Sequence, residues 1–146
     1  MRRIYTNHLL CSGCRACSVA CAIARFGIAD DSRGAIQILR DPVEGYEYQA
    51  VCRLCENPEC VAACMAAALS KEPATAGRIL FDRDRCVGCW MCVMVCPHRG
   101  IVPDRKADKA IICDQCVSRD GPACVAACAT AAIVCVDVEE EAKVGT

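Results

Sequence analysis

The sequence predicts an α+β fold: a small, loop-rich body of short strands and short helices, built as two duplicated halves. Three observations predict it. Cysteine supplies 17 of the 146 residues, far above ordinary usage. Sixteen of the 17 fall into four motifs that alternate between a tight and a widened spacing. The pentapeptide Cys-Val-Ala-Ala-Cys occurs twice, at residues 60–64 and 124–128. Internal repetition of this kind is the mark of duplication.

The third motif carries the most chemistry. Cys86, Cys89, Cys92 and Cys96, followed by Pro97, read C-x2-C-x2-C-x3-C-P, the bacterial iron–sulfur run. The spacing is geometric. Three cysteines two residues apart curl a short loop, so that three thiolates converge on one cuboidal cluster. Gly88 frees the backbone for that curl. Cys96 sits one helical turn on, points away and serves a neighbouring cluster. Pro97 fixes φ and turns the chain.

The other motifs follow in chain order. Residues 4–6 read as a strand leading into Cys11, Cys14, Cys17 and Cys21, which repeat the tight spacing with Gly13 before the second cysteine. Residues 16–25 read as a helix stopped by Gly27. Residues 30–48 form a connector, with a strand over 35–39, a turn at 41–45, and Tyr46 and Tyr48 expected over a cluster edge. Cys52, Cys55, Cys60 and Cys64 are spaced C-x2-C-x4-C-x3-C, with a turn at Asn57-Pro58 inside the widened gap. Ala62 and Ala63 are small enough to let the helix backbone approach inorganic sulfide. Residues 70–77 are predicted as a hairpin loop, 78–81 as its returning strand, and 102–110 as a solvated charged loop before a strand over 110–112. Cys113, Cys116, Cys124 and Cys128 are spaced C-x2-C-x7-C-x3-C around Gly121-Pro122. A last strand over 133–138 holds the one surplus cysteine, Cys135, expected as a small buried hydrophobe, and Glu139, Glu140 and Glu141 begin a solvated tail.

Composition narrows the function. The apolar fraction of 55% includes the cysteines, and only six aromatics are present, so bound cofactors are expected to supply part of the interior. The formal charge is −1, with no basic stripe for nucleic acid. Four loaded clusters would bring it to about −9, which favours a basic docking patch on a partner. No apolar run is long enough to span a bilayer. The N-terminus lacks a secretory apolar region, and Arg2-Arg3 reads as surface charge rather than a twin-arginine signal. The expected location is cytoplasmic, with export as a passenger on a signal-bearing partner left open. A secreted disulfide scaffold and zinc sites are the competing readings of the cysteines. Structural zinc sites usually come as two separated C-x2-C pairs, whereas three close cysteines recur here with a fourth on a helix. His8 and His98 have no acid or nucleophile partner, and no phosphate-cradling glycine loop occurs, so no catalytic constellation is predicted.

With these motifs, the chain resembles the small four-cluster iron–sulfur subunits of molybdenum and tungsten oxidoreductases, hydrogenases and carbon monoxide dehydrogenases. The resemblance covers residues 4–136. It implies one iron–sulfur domain over 1–146, made of two interleaved, bacterial-ferredoxin-like β-α-β halves with a pseudo-twofold. Motif 11–21 would pair with 113–128, and motif 52–64 with 86–96. It implies four [4Fe-4S] clusters. One would take Cys11, Cys14, Cys17 and Cys128, and another Cys113, Cys116, Cys124 and Cys21. A third would take Cys86, Cys89, Cys92 and Cys64, and the fourth Cys52, Cys55, Cys60 and Cys96. Proline follows the fourth cysteine only in motif three; Ala22, Met65 and Ala129 stand there elsewhere. Some relatives place tryptophan at the second cysteine of motif three and hold three irons. Here Cys89 is kept, and Trp90 is expected to pack on a four-iron cluster.

The function so implied is a non-catalytic electron-transfer subunit of anaerobic metabolism. It would relay electrons between a large catalytic subunit (a tungsten or molybdenum aldehyde or formate enzyme, a hydrogenase or a carbon monoxide dehydrogenase) and a flavin subunit or ferredoxin. Self-association could extend the cluster chain, within which the Cys86 and Cys89 cluster is expected to be interior. A structural or storage iron–sulfur protein is the alternative. A stand-alone enzyme would need an open coordination site, and sixteen cysteines saturate four cubanes.

Overall fold

A computed structural model describes residues 2–74 and 77–138. The acidic tail from Glu139 and the tip of the 70–77 loop, residues 75–76, lie outside the described residues. Strand β1 (Arg2–Thr6) buries Ile4 between more exposed neighbours, the alternation of a half-covered strand. Its partner is β8 (Ile133–Asp137), antiparallel, with Ile4 opposite Cys135. This pairing joins the two ends of the described chain and sets motif one beside motif four. Between them lie three hairpins: β2 (Gln37–Arg40) with β3 (Glu47–Ala50), β4 (Leu69–Lys71) with β5 (Ile79–Phe81), and β6 (Ile101–Asp104) with β7 (Lys109–Ile112). Every sheet among the described residues is two-stranded. Such ribbons are marginal alone, so each depends on what packs against it.

The helices are subordinate to the cysteines. Helix α1 (Ala16–Phe26) ends where Gly27 turns left-handed at φ 68°, its amide donating to Ile23 O at 2.8 Å. Helices α2 (Glu59–Ala62), α3 (Met91–Val95) and α4 (Ala123–Ala126) are about one turn each. One-turn helices do not form from propensity, because nucleation is unfavourable, so packing must hold them. Helix α1 packs on α4, and α2 on α3. Two apolar cores result. The first joins Ile4, Ile36, Ile38, Val51, Ile111 and Ile133 with cysteines of motifs one and four. The second joins Leu69, Ile79, Ile101 and Ile112 with cysteines of motifs two and three.

Several expectations are corrected. Residues 102–110 are a hairpin rather than a solvated loop. Ile101, Val102, Ala110, Ile111 and Ile112 are buried on its two arms, and the exposed charges sit only at the tip. Strand β3 was not predicted, and β2 begins at Gln37, leaving Ala35 and Ile36 buried ahead of it. Arg2 is more than surface charge: its guanidinium donates to Cys116 O at 3.0 Å and Arg119 O at 2.9 Å. Lys109 Nζ donates to Cys86 O at 2.5 Å, holding the third motif from the hairpin beside it.

Asp104 joins distant parts of the chain. It is 1% exposed and accepts from Arg33 at 2.6 Å, while its other oxygen accepts the Lys106 and Ala107 amides of its own turn. Arg33 also lies over the Phe26 ring, at 4.3 Å from its centroid. Burial pushes the Asp104 carboxyl up, but the Arg33 hydrogen bond and charge outweigh it, and the net direction is down. A carboxyl lowered in the fold stabilises above its unfolded pKa, and that contribution is lost as pH falls through the folded value. Removing the carboxylate would strand a largely buried guanidinium. Asp104→Ala should therefore cost about 3 kcal/mol at neutral pH. Denaturant melts followed by circular dichroism should show the gap to the parent narrowing as pH drops below the carboxylate range.

Candidate metal centres

The four motifs share one backbone device. The residue before the second cysteine is left-handed in each: Gly13 at φ 72°, Gly88 at 70°, Leu54 at 54° and Gln115 at 58°. Glycine adopts this without strain. Leu54 and Gln115 are held there by burial, at 5% and 3% exposure. Gly88 is needed for a second reason, since a Cβ there would lie 2.5 Å from Asp108 O.

A second device follows the fourth cysteine. Three residues beyond Cys64, Cys96 and Cys128 the chain is again left-handed, at Ala67, Arg99 and Ala131. The next amide turns back on the sulfur: Ala68 N–H donates to Cys64 Sγ and Gly100 N–H to Cys96 Sγ, both at 3.3 Å. Cys128 receives Thr130, Ala132 and Ile133, and although burial opposes it, these donors leave its thiol lowered. Gly100 cannot carry a side chain, because a Cβ would fall 2.6 Å from Cys52 Cα. Cys21 is the exception. Helix α1 runs on past it, and the donor comes instead from Ala35 N–H at 3.3 Å.

These turns bring thiols from different motifs together. Cys11, Cys14 and Cys17 line one cavity with Cys128, about 360 Å³ with its open mouth included. Cys86, Cys89 and Cys92 line another with Cys64, about 370 Å³, with Trp90 in its wall. The other eight cysteines are read from the thiols that press on one another. Burial pushes Cys60 up to about 11, with Cys52, Cys96 and Cys55 adding to it. Burial pushes Cys124 up to about 12, helped by Cys21 and Cys116. Cys113 is raised by burial and then by Cys124 and Cys21. In every case burial is the main cause, because a thiolate loses water there.

Among the described residues, no three His, Cys, Asp or Glu side chains close on a point as for one metal ion. The cysteines surround gaps instead. A cubane offers iron at several corners, so its ligands stand around a body of atoms rather than a point. Four convergent thiols with amide donors behind them fit such a group.

Some expectations fail. Ala62, the last residue of α2, is exposed rather than turned inward. Cys135 is half-buried on β8 rather than buried, and lines neither cysteine cavity. Tyr46 and Tyr48 line a polar cleft with His8 and Arg53 rather than either cysteine cavity, Tyr46 lying 4.8 Å from the His8 ring. The sequence reading missed the amide donors, which leave no trace in residue type. It also missed Gln49, a lone polar residue in a polar strand, which lines the Cys11 cavity.

Repeated C-x2-C loops, each followed by further cysteines at short spacing, define a ferredoxin-like iron–sulfur protein. Residues 43–138 match the 4Fe-4S dicluster domain, and the chain belongs to that family. It is 36% identical to the putative electron transport protein YsaA of Escherichia coli K12, over 95% of this chain and 92% of that one. It is 41% identical to the NADH-dependent phenylglyoxylate dehydrogenase subunit beta of Aromatoleum evansii, over 81% of this chain but only 26% of that longer protein. The fold resembles a chain of the active site complex BamBC of benzoyl coenzyme A reductase, with a TM-score of 0.54 at 21% identity, covering 96% of this chain and 82% of that one. No described helix is long and apolar enough to cross a membrane.

The raised thiols predict how the protein loads. Metal needs thiolate, so iron must displace protons from groups that burial keeps neutral. Anaerobic loading of the apoprotein in weak buffer should acidify the solution. Loading should also proceed more readily as pH rises from about 6.5 to about 8.5. Proton-neutral uptake measured with an indicator dye would contradict this.

Proposed function

We propose that the chain is one domain of two nested ferredoxin-like halves, holding four [4Fe-4S] clusters and passing single electrons between a catalytic oxidoreductase subunit and a second redox protein. The outer half joins motif 11–21 to 113–128 through β1 and β8; the inner half joins 52–64 to 86–96. The ligand sets proposed are Cys11, Cys14, Cys17 with Cys128; Cys113, Cys116, Cys124 with Cys21; Cys52, Cys55, Cys60 with Cys96; and Cys86, Cys89, Cys92 with Cys64.

The observation that carries this reading is the ring of four cysteines around each of two cavities, the fourth always coming from the other motif of its half. The neighbours that raise Cys60 and Cys124 support the other two sets. The family match, a dicluster domain, accounts for two of the four clusters. It contains all eight cysteines of the two inner sets, and the two outer sets each need cysteines from 11–21, which lie before it.

The thiol neighbours also suggest an order. Cys17 presses on Cys124, and Cys52 on Cys113. The row then runs from the Cys11 set through the Cys113 and Cys52 sets to the Cys86 set. That makes the Cys86 cluster terminal, where the sequence alone suggested an interior one.

The clusters, when bound, supply the one-electron chemistry. The chain spaces them, excludes water from them and tunes them. The amides of Ala35, Ala68 and Gly100 stabilise negative charge on cysteine sulfur, which favours the reduced state. All-cysteine ligation in an acidic body suits potentials near about −400 mV. That range fits a ferredoxin or a flavin subunit as the second partner, in the cytoplasm. The names of the relatives, an electron transport protein and an oxidoreductase subunit, agree with a non-catalytic carrier.

Anaerobic iron analysis should give about sixteen irons per chain, four per cubane, and Cys135→Ala should keep them all. Cys21→Ala should damage the Cys113 cluster and leave that of Cys11 intact by paramagnetic resonance. Damage to the Cys11 cluster instead would refute the exchange of fourth ligands. Reconstituted with its catalytic partner, Cys113→Ala/Cys116→Ala should interrupt the row and stop delivery to an acceptor. Unimpaired delivery would favour a structural protein over a conductor.

A further inference from the structure

We propose that the side-chain amide of Gln49 donates a hydrogen bond to the cluster in the Cys11 cavity and raises the potential of that cluster alone; this rests on the cluster reading above. Gln49 lies on β3 and is 3% exposed. Both its Nε2 and its Oε1 are buried without a hydrogen-bond partner. Buried carboxamides are nearly always satisfied, because an unmade bond there leaves the full desolvation cost standing. The orphaned amide therefore asks for a partner among the groups it faces.

The faces are known. Gln49 pairs with Ile38 across the β2–β3 ribbon, and both line the cavity ringed by Cys11, Cys14, Cys17 and Cys128. On its other side Gln49 borders the polar cleft that holds Tyr48 and Arg53. Cluster sulfur accepts hydrogen bonds and cannot donate them. The NH2 end is thus the one suited to the cavity. Ile38 and Ile133 make the neighbouring cavity wall apolar, and a hydrogen bond in such surroundings is electrostatically stronger than in water. A donor to cluster sulfur stabilises the added electron, so its effect is a higher potential. The corresponding wall at the Cys86 end is built from Ala66, Ala68, Leu69, Phe81 and Ala110, with no carboxamide. The Cys86 end therefore lacks the carboxamide that Gln49 brings to the Cys11 end.

The test uses the full chain, reconstituted anaerobically, with potentials read from a titration followed by paramagnetic resonance. Cys14→Ala identifies the signal of the Cys11 cluster by removing it. Gln49→Met keeps the length of the side chain and deletes the donor; Gln49→Leu is the second variant should the first not load. Either should hold its full iron, lower the potential of that signal and leave the others in place. The exchangeable-proton coupling of that cluster in deuterated buffer should also be lost. Gln49→Glu should make that one potential depend on pH, since a protonated carboxyl donates and a carboxylate does not. A merely structural role for Gln49 would leave the proton coupling in place in the Gln49→Met and Gln49→Leu proteins. An unchanged potential and an unchanged proton coupling at full iron overturn the proposal. A parent protein with no signal that Cys14→Ala removes overturns the cluster reading beneath it, a distinguishable result.

Discussion

Buried sulfur facing buried sulfur is the constraint from which the rest of this structure follows. A core of ordinary side chains closes on itself, and its helices grow long enough to bury a stripe. Here the two cores close around cysteines, and burial raises most of the thiols they enclose. Three of the four helices are about one turn, and each carries one cysteine and leads into the next. The strands pair only in twos, since each ribbon need cover only one side of a cysteine cavity.

The repetition among the motifs can be followed at backbone level. Cys64, Cys96 and Cys128 are followed by the same left-handed residue, and the amide after it comes back to the sulfur in each. Cys21 breaks the rule because α1 continues to Phe26. Its sulfur is served from Ala35, in the connector that returns past Gly34. Gly34 has no Cβ because one would sit 2.5 Å from Ser18 O, so the connector lies directly on the helix backbone. A long helix and a close-lying connector are thus two parts of one substitution for the missing turn.

What the sequence made legible follows from how local each signal is. The four motifs, helix α1 with its Gly27 stop and the flanking strands could be read because spacing and residue type carry them. The β6–β7 hairpin was hidden because its charged tip, Asp104 to Lys109, dominates a short window while its apolar arms are only a few residues long. Leu54 and Gln115 adopt the conformation that Gly13 and Gly88 advertise, but nothing in a leucine or glutamine announces it. The partners of the fourth cysteines came from resemblance, since pairing between motifs far apart in the chain leaves no local mark. Gln49 was invisible for the same reason: its meaning lies in what faces it.

The β1–β8 ribbon has a consequence for the order of events at the ribosome. Strand β1 is made before the other described strands, yet the strand that completes it is the last of them. The hairpins between them can each close as soon as they are made, and α2 can meet α3, while Cys11, Cys14 and Cys17 still lack Cys128. Long-range pairing of this kind is slow and leaves early segments exposed. Cys11, Cys14 and Cys17 therefore wait without Cys128 while everything between them is made, and they need shielding from oxidation over that interval.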